Sequence, residues 1–385
     1  MKNNYKKIVF MSVVFIALIL AVVLGTSGQF GNKDLTITAM FPMTGGLSSY
    51  GDSASRASIL AVEEINASGG INGKTLKLNL QDHKCDTKEA VAIYKQFKSK
   101  TNVFTSAACS GTALAIAPML ENDGSVLLGS TLSTPKISGV SKNLFRNWSS
   151  DAKEAELFAG LLKGIDYKKI GIIYEETDYA KGLKDSLEKN ILASSTATLP
   201  GPKQVYSEGF VSGSMDVRSQ LLKLQSEGVD VLFISPQTVT SAEIIAKQMT
   251  ELGFKPKTIL VNDNVIKADN LLSKYPTLFQ GAYGADYRIE NSKAIEDFKS
   301  KYKARFGEDC KQVNICIAQY DNIKIMAKAL SATASSNYNR SEIQAYIKSV
   351  NYEGVSGKVS FDKNNDRSDA EYSLLKVDNG KATMI

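Results

Sequence analysis

The chain carries a single histidine, His83, among 385 residues. That scarcity excludes the paired-histidine HExxH zinc motif. It also leaves a cysteine nucleophile with one candidate base: Cys109 with His83 would need both groups free and adjacent. No GxSxG elbow occurs, so the strained nucleophile turn of the α/β hydrolases is absent too. None of the four cysteines is spaced CxxC or CxxH, which removes the usual metal-ligand patterns. Low-complexity tracts and solenoid-like repeats are missing. Lys and Arg are interspersed with Asp and Glu, so the net charge of +6 leaves no nucleic-acid footprint.

Two near-motifs fail on inspection. "SGGINGKT" (68–75) approximates a phosphate-binding loop, but Ser68 stands where the pattern needs Gly. Its context is also reversed, since a P-loop follows a strand and opens a helix. A helix stop followed by a turn is the expected structure. "DKNNDRSDAEYS", from Asp362, approximates a calcium loop. Its sixth residue is Arg367 instead of Gly and its twelfth is Ser373 instead of Glu, so a polar hairpin turn is expected. These readings assign no metal and no cofactor.

With 43% hydrophobic and 22% charged residues, the composition is that of a folded globular chain. The length fits two domains or one large one. The N-terminus differs. Lys2, Lys6 and Lys7 precede an apolar run over 8–24, and small polar residues follow. This order describes a secretory signal peptide over residues 1–28, cleaved around 25–29. At 17 residues the run sits at the short edge of a membrane span, so an uncleaved anchor is the second reading. No Cys near the cleavage region supports a lipoprotein anchor. Removing 1–28 takes away three Lys and no acid, so +6 becomes +3. Export places the four cysteines, at 85, 109, 310 and 316, in an oxidising compartment and suggests two disulfides.

From residue 34 onward, strand and helix patterns alternate. "DLTITAMFPMT" and "KTLKLNLQD" alternate with period two, and "SYGDSASRASILAVEEINASGG" has helical spacing with a Gly-Gly stop. "NVFTSAA" and "SVLLGST" read as short strands flanking the helix "SGTALAIAPMLEN". A second series follows, with strands in "KKIGIIYEE", "VDVLFIS" and "KTILVND". Alternation of this kind predicts an α/β fold of two doubly wound lobes, each with a parallel sheet. Ligands of such sheets bind outside the carboxyl ends of the strands. That rule selects the loops "FPMTGG", "AACSG", "GSTLST", "EETDY", "SPQT" and "NDNV".

These segments also carry a resemblance. "MFPMTGGLSSYGDSASRASILAVEEINASGGINGKTLKL", "DHKCDTKEAV", "AACSGTALAIAP", "LGSTLSTP", "YEETDYAKGL", "EGVDVLFIS", "AKQMTELGF" and "AQYDNIKIMAKAL" occur in order. Together they resemble the periplasmic solute-binding proteins of branched-chain amino acid ABC transporters, the leucine/isoleucine/valine-binding type. The resemblance implies a type I two-lobe fold with three segments crossing the hinge. Lobe one would comprise 34–150 with 286–370, and lobe two 151–285 with 371–385. It implies no catalysis: an exported, monomeric receptor captures a solute between closing lobes and hands it to membrane permease subunits.

The resemblance also assigns a site. Ser110 matches the serine that grips an α-carboxylate at a helix start, with Gly111 and Thr112 in the first turn; the plainer role for Ser110 is to cap its own helix. Ser133 matches a hydroxyl on the ligand, with backbone groups lent by Thr131 and Leu132; a simple turn before Pro135 is the alternative. Either Asp263 or Asn264 matches the carboxylate that meets the ammonium, and Asp263 is preferred because it can carry charge. Tyr50 and Tyr179 match aromatic cleft positions. Gln237 stands where the family often has Tyr, which makes that wall more polar. Cys85 and Cys109 match a family disulfide, whereas Cys310 and Cys316 form either a local bridge or two free thiols. The ligand implied is a neutral amino acid, branched-chain-like. The alternatives are a membrane-tethered sensor of the same fold and a binder of amides, urea-like compounds or small carboxylates.

Overall fold

The computed structural model describes residues 34–194 and 204–385; the expected signal peptide or anchor lies outside them. Among the described residues no helix is long and apolar enough to cross a membrane.

The chain opens with β1 (Leu35–Phe41), α1 (Ser48–Ala67), β2 (Leu76–Asp82), α2 (Thr87–Phe97), β3 (Val103–Ala107), α3 (Ser110–Asp123), β4 (Leu127–Ser130) and the short β5 (Leu144–Arg146). These five strands make one parallel sheet in the order β2-β1-β3-β4-β5. β3 and β4 are buried throughout, as expected for parallel strands covered on both faces. Local chemistry sets the helix starts. Asp86, for example, caps α2 by accepting from the N–H groups of Lys88 and Glu89.

The chain then builds a second sheet. It runs through α4 (Asp151–Leu162), β6 (Lys169–Glu175), α5 (Asp178–Ser194), β7 (Gln204–Phe210), α6 (Arg218–Ser226), β8 (Val231–Ser235), α7 (Val239–Leu252) and β9 (Thr258–Val261). Three short helices follow, α8 (Asp263–Ile266), α9 (Asp269–Lys274) and α10 (Pro276–Phe279), and then β10 (Tyr283–Tyr287). The chain returns to the first sheet with α11 (Lys293–Phe306), α12 (Val313–Ala332), α13 (Arg340–Lys348) and the β11 (Tyr352–Gly354)–β12 (Gly357–Val359) hairpin. It ends back on the second sheet with β13 (Tyr372–Asp378) and β14 (Lys381–Met384).

The second sheet has the order β14-β13-β10-β9-β8-β6-β7. It departs from a purely parallel sheet, because β13 pairs antiparallel with β10 and β14 antiparallel with β13. A tight turn at Asn379–Gly380, both with positive φ, joins those two strands. Helix α12 packs against α1 in a core that also holds Ile37, Val103 and Leu128 of the first sheet. A separate core lies between α7 and the second sheet, with Leu232, Ile245 and Met249.

Both near-motifs take the shapes expected. Residues 68–75 end α1 and turn, with Ile71 bridging Lys74. Residues 361–367 form a polar turn in which the Asp362 N–H donates to the Asp366 carbonyl at 2.9 Å.

Candidate functional site

The C-terminal ends of both sheets face a cavity of about 250 Å³. On the first side, β3 passes into α3 through an unusual corner. Ala108 and Cys109 both have φ of 58°, in the left-handed region that costs an L-residue free energy. Two interactions hold the corner. The Cys109–Cys85 disulfide ties it to the turn after β2, with a Cα–Cα distance of 5.4 Å. The Ala108 N–H donates to the Thr131 hydroxyl at 2.7 Å, and Thr131 itself has φ of 54°.

The corner makes Cys109 the residue before the helix, with no side-chain cap, so Ser110 is the first helical residue and not its own cap. The Ser110 hydroxyl instead accepts weakly from the Thr134 N–H, at 3.3 Å. Ser110, Thr131 and Ser133 all line the cavity, and Leu47 and Tyr50 complete this side. Three expected residues do not line it. Thr112 turns inward, its hydroxyl donating to the Cys109 carbonyl at 2.8 Å. Leu132 is fully buried in the apolar cluster beside Ile116 and Leu127. Gly111 abuts Asp178 across the cleft: a Cβ there would lie 2.8 Å from the Asp178 Oδ2.

The opposite side comes from the second sheet. Tyr179 in the first turn of α5, Gln237 after β8, and Asp263 and Asn264 at the start of α8 all line the cavity. Asp263 Oδ1 accepts from the Tyr179 hydroxyl at 2.5 Å, and its Oδ2 accepts from the Lys267 ammonium at 3.1 Å. Lys267 also lies 3.0 Å from Asp286 Oδ1. Asn264 is already engaged. Its Oδ1 accepts from the Tyr50 hydroxyl at 2.6 Å and its amide donates to the Gln237 carbonyl at 3.1 Å. Asp263 therefore carries the charge facing the cavity, while Asn264 joins the two sides. The Thr134 hydroxyl makes a second bond across the cleft, to the Asp178 carbonyl at 3.0 Å. These crossings describe a closed cleft.

The sequence reasoning missed several cavity residues: Lys267, Asp286, the segment 311–315 and Trp148. Trp148 is the only tryptophan of the chain and stacks near Tyr287 with ring centroids 4.3 Å apart. Its uniqueness was an available signal, as was the helical i, i+4 spacing of Lys267 from Asp263. The bracketing cysteines Cys310 and Cys316 form a local disulfide, with Cα atoms 6.7 Å apart.

Electrostatics separates the two sides. Burial opposes the Lys267 charge, but Asp263 and Asp286 outweigh it and hold the ammonium well above its ordinary range. Burial, followed by the Lys267 and Asp263 charges, leaves the Tyr50 hydroxyl at about 12. Asp151 and Glu154, at the start of α4, are completely buried. Asp151 Oδ1 accepts from the Tyr372 hydroxyl at 2.9 Å, whereas its Oδ2 and both Glu154 oxygens have no protein hydrogen-bond partner. Burial and then the Asp263 charge push Asp151 up to about 7 and Glu154 well above the carboxylate range.

His83 is fully buried, and its Nδ1 accepts from the Cys85 N–H at 3.0 Å. Burial lowers its pKa to about 4. With Cys109 in a disulfide, the two cannot act as a nucleophile and base. The cavity therefore offers hydroxyls and a helix N-terminus on one side and two carboxylates sharing one ammonium on the other. Such a set binds and orients a small polar solute.

Comparison with known proteins supplies the context. The family model described as "Periplasmic binding protein" matches residues 34–382. An amino acid binding protein of Pseudomonas aeruginosa is 25% identical over 375 residues, covering 94% of this chain and 95% of the relative. The crystal structure of the leucine binding protein LivK of Thermotoga maritima superposes with a TM-score of 0.76 at 23% identity, covering 91% of this chain and 97% of the other. A fatty acid ABC transporter substrate-binding protein of Thermomonospora curvata gives a TM-score of 0.76 at 20% identity, covering 92% of both chains. The last two establish a shared fold.

Proposed function

We propose that this chain, which belongs to the periplasmic binding protein family, is an exported receptor that captures an amino acid in its cleft and delivers it to the permease of an ABC importer. The family consists of substrate-binding receptors of transporters, and the chain is not an enzyme. One observation carries the amino-acid reading: the closed cavity has an anion-binding end and a carboxylate-bearing end facing each other. In this reading the ligand carboxylate lies at the start of α3, against the Ser110 and Ser133 hydroxyls, in the positive field of the helix N-terminus. The ligand ammonium approaches Asp263, which has lone pairs to spare beyond Tyr179 and Lys267. Tyr50, Tyr179 and Trp148 enclose the rest. Lobe one takes 34–150 with 286–370 and lobe two 151–285 with 371–385, except that β10 (Tyr283–Tyr287) stays whole in the second sheet and carries the boundary past Tyr287; closure is a hinge motion of the kind such two-lobed proteins use.

Isothermal calorimetry of the purified protein with the standard L-amino acids tests this reading. Heat with at least one neutral member is expected; silence across the whole panel overturns the amino-acid assignment. A specific feature favours a second reading. Lys267 already sits between Asp263 and Asp286, so the acidic end is partly filled by the protein's own cation. A carboxylate without an amine would then use only the α3 end. If 4-methylpentanoate binds as tightly as L-leucine, this second reading holds instead.

A further inference from the structure

Arg146, the last residue of β5, is completely buried. It lines no part of the cavity, yet it faces the loop that carries Thr131 and Ser133. One nitrogen, Nη1, donates to three successive carbonyls: Leu132 at 3.0 Å, Ser133 at 2.9 Å and Thr134 at 2.9 Å. The other side of the guanidinium grips Asp366, with Nε and Nη2 at 2.9 and 2.7 Å from its Oδ1. Nη2 also donates to the Ser138 hydroxyl at 2.8 Å, and Ser138 in turn donates to Asp366 Oδ2 at 2.6 Å. The donor set of the guanidinium is thus spent on one loop, one acid and the Ser138 hydroxyl between them.

Three consecutive carbonyls do not converge on one point by backbone preference. The loop enters with Thr131 in the left-handed region; the Ser133 carbonyl also accepts from the Asp151 N–H at 2.9 Å and the Thr134 carbonyl from the Ile137 N–H at 3.2 Å, whereas the Leu132 carbonyl is held by Arg146. Without Arg146 the buried Leu132 carbonyl would lose its donor, which costs free energy, and the other two would lose the contact that gathers them beside it. A planar fork with five donors in fixed directions can hold such a turn, and a lysine ammonium with three cannot match it. Asp366 belongs to the turn that resembled a calcium loop in sequence. There Asp366 pairs with Arg146 and Asp369 with Arg367. The same turn is stitched to β5, with the Arg146 N–H donating to the Asn365 carbonyl and the Arg367 N–H to the Arg146 carbonyl, both at 3.0 Å.

We propose that Arg146 is a positioning residue of the ligand site: it shapes the 131–134 loop that presents Thr131 and Ser133 to the cavity, and Asp366 locks its orientation. The effect on affinity rests on the amino-acid reading above; the effect on the loop does not.

Three variants test it: Arg146→Lys, Asp366→Asn and, as a control, Arg367→Lys. Arg367 is a buried arginine of the same turn, but it binds Ser356, Lys358 and Asn147 and not the 131–134 loop. Hydrogen exchange followed by mass spectrometry, on the ligand-free folded protein, reads the peptides spanning 129–137. Arg146→Lys and Asp366→Asn should exchange faster there, while Arg367→Lys should lower the melting temperature without that local change. Calorimetry with the L-amino acid panel should show affinity weakened by about tenfold or more in the first two variants, the scale of one lost charged hydrogen bond, and unchanged in the third. If Arg146→Lys does not fold, Asp366→Asn, which keeps the side-chain volume, decides. Unaltered exchange at 129–137 in folded variants overturns the proposal. So does equal acceleration in all three, which would mean general destabilisation. If no amino acid binds even the unaltered protein, the amino-acid reading fails while the exchange data still decide the role of Arg146.

Discussion

The loops that follow the first sheet's strands bring no charged side chain to the cavity, and Lys311 enters from the turn before α12, whereas the second sheet's side brings Asp263, Lys267 and Asp286. The first side works through backbone and hydroxyls. Its geometry is fixed in advance by left-handed residues, a disulfide and a buried arginine. Charge does the work on the second side, carried by Asp263 on a short helix, Lys267 just past its end and Asp286 on an adjacent strand. Hydrogen bonds from a backbone are directional and demand a rigid frame, while ion pairs tolerate looser geometry. Strain therefore collects on the side that reads shape, and perturbed pKa values collect around the side that reads charge.

The largest expected effect strikes the charged side. Asp263→Asn keeps shape but removes the carboxylate, and leaves Lys267 with Asp286 alone. Calorimetry should show amino-acid affinity reduced by about 2–5 kcal/mol, as for truncation of a buried charged pair. An unchanged affinity would assign amine recognition elsewhere. Next comes the rigid side. Replacing both Cys85 and Cys109 by Ala should lower unfolding free energy by about 2–4 kcal/mol in chemical denaturation. The comparison sharpens with ligand present: the same double variant should also bind more weakly, because the Ala108–Cys109 corner loses its tie to the Cys85 turn. Lost stability with intact affinity would mean that the corner holds itself.

How much of this was legible in the sequence follows the same division. Period-two strands, Gly stops and capping residues made most of the elements from residue 34 to about 261 readable, although β5, α4 and β7 went unread. The strand-end rule then selected the loops carrying Ser110, Ser133, Tyr179, Gln237 and Asp263. Lys267, Asp286 and Trp148 escaped because they do not sit in loops that directly follow an obvious strand. Lys267 lies just beyond α8, Asp286 lies within β10, and Trp148 follows a strand of three residues. The antiparallel β13–β14 pair also went unread, although Asn379–Gly380 is a hairpin turn signal. Arg146 shows a deeper limit. It ends a strand of three residues, and its role depends on Asp366, 220 residues away. Long-range convergence of this kind leaves no local pattern.

The effect seen only as a difference between two curves concerns Asp151, buried behind the charged side. Its folded pKa, about 7, stands above the ordinary value of 3.8. The folded state therefore holds its proton more tightly than the unfolded state between those values. Where the folded state binds more protons, stability falls as pH rises. The Asp151 contribution is thus fully present below about pH 4, declines through the interval, and is lost above about pH 7. Other carboxylates act oppositely. Lys324, Lys301 and Tyr320 together outweigh burial and hold Glu64 down at about 2, so its contribution is lost in acid. The total curve mixes both, and the informative quantity is a difference. Thermal melts of Asp151→Asn and the unaltered protein from pH 4 to 8 should show the unaltered protein losing stability relative to the variant as pH rises. A parallel pair of curves would mean that Asp151 takes up its proton alike in the folded and unfolded states, which overturns the raised value.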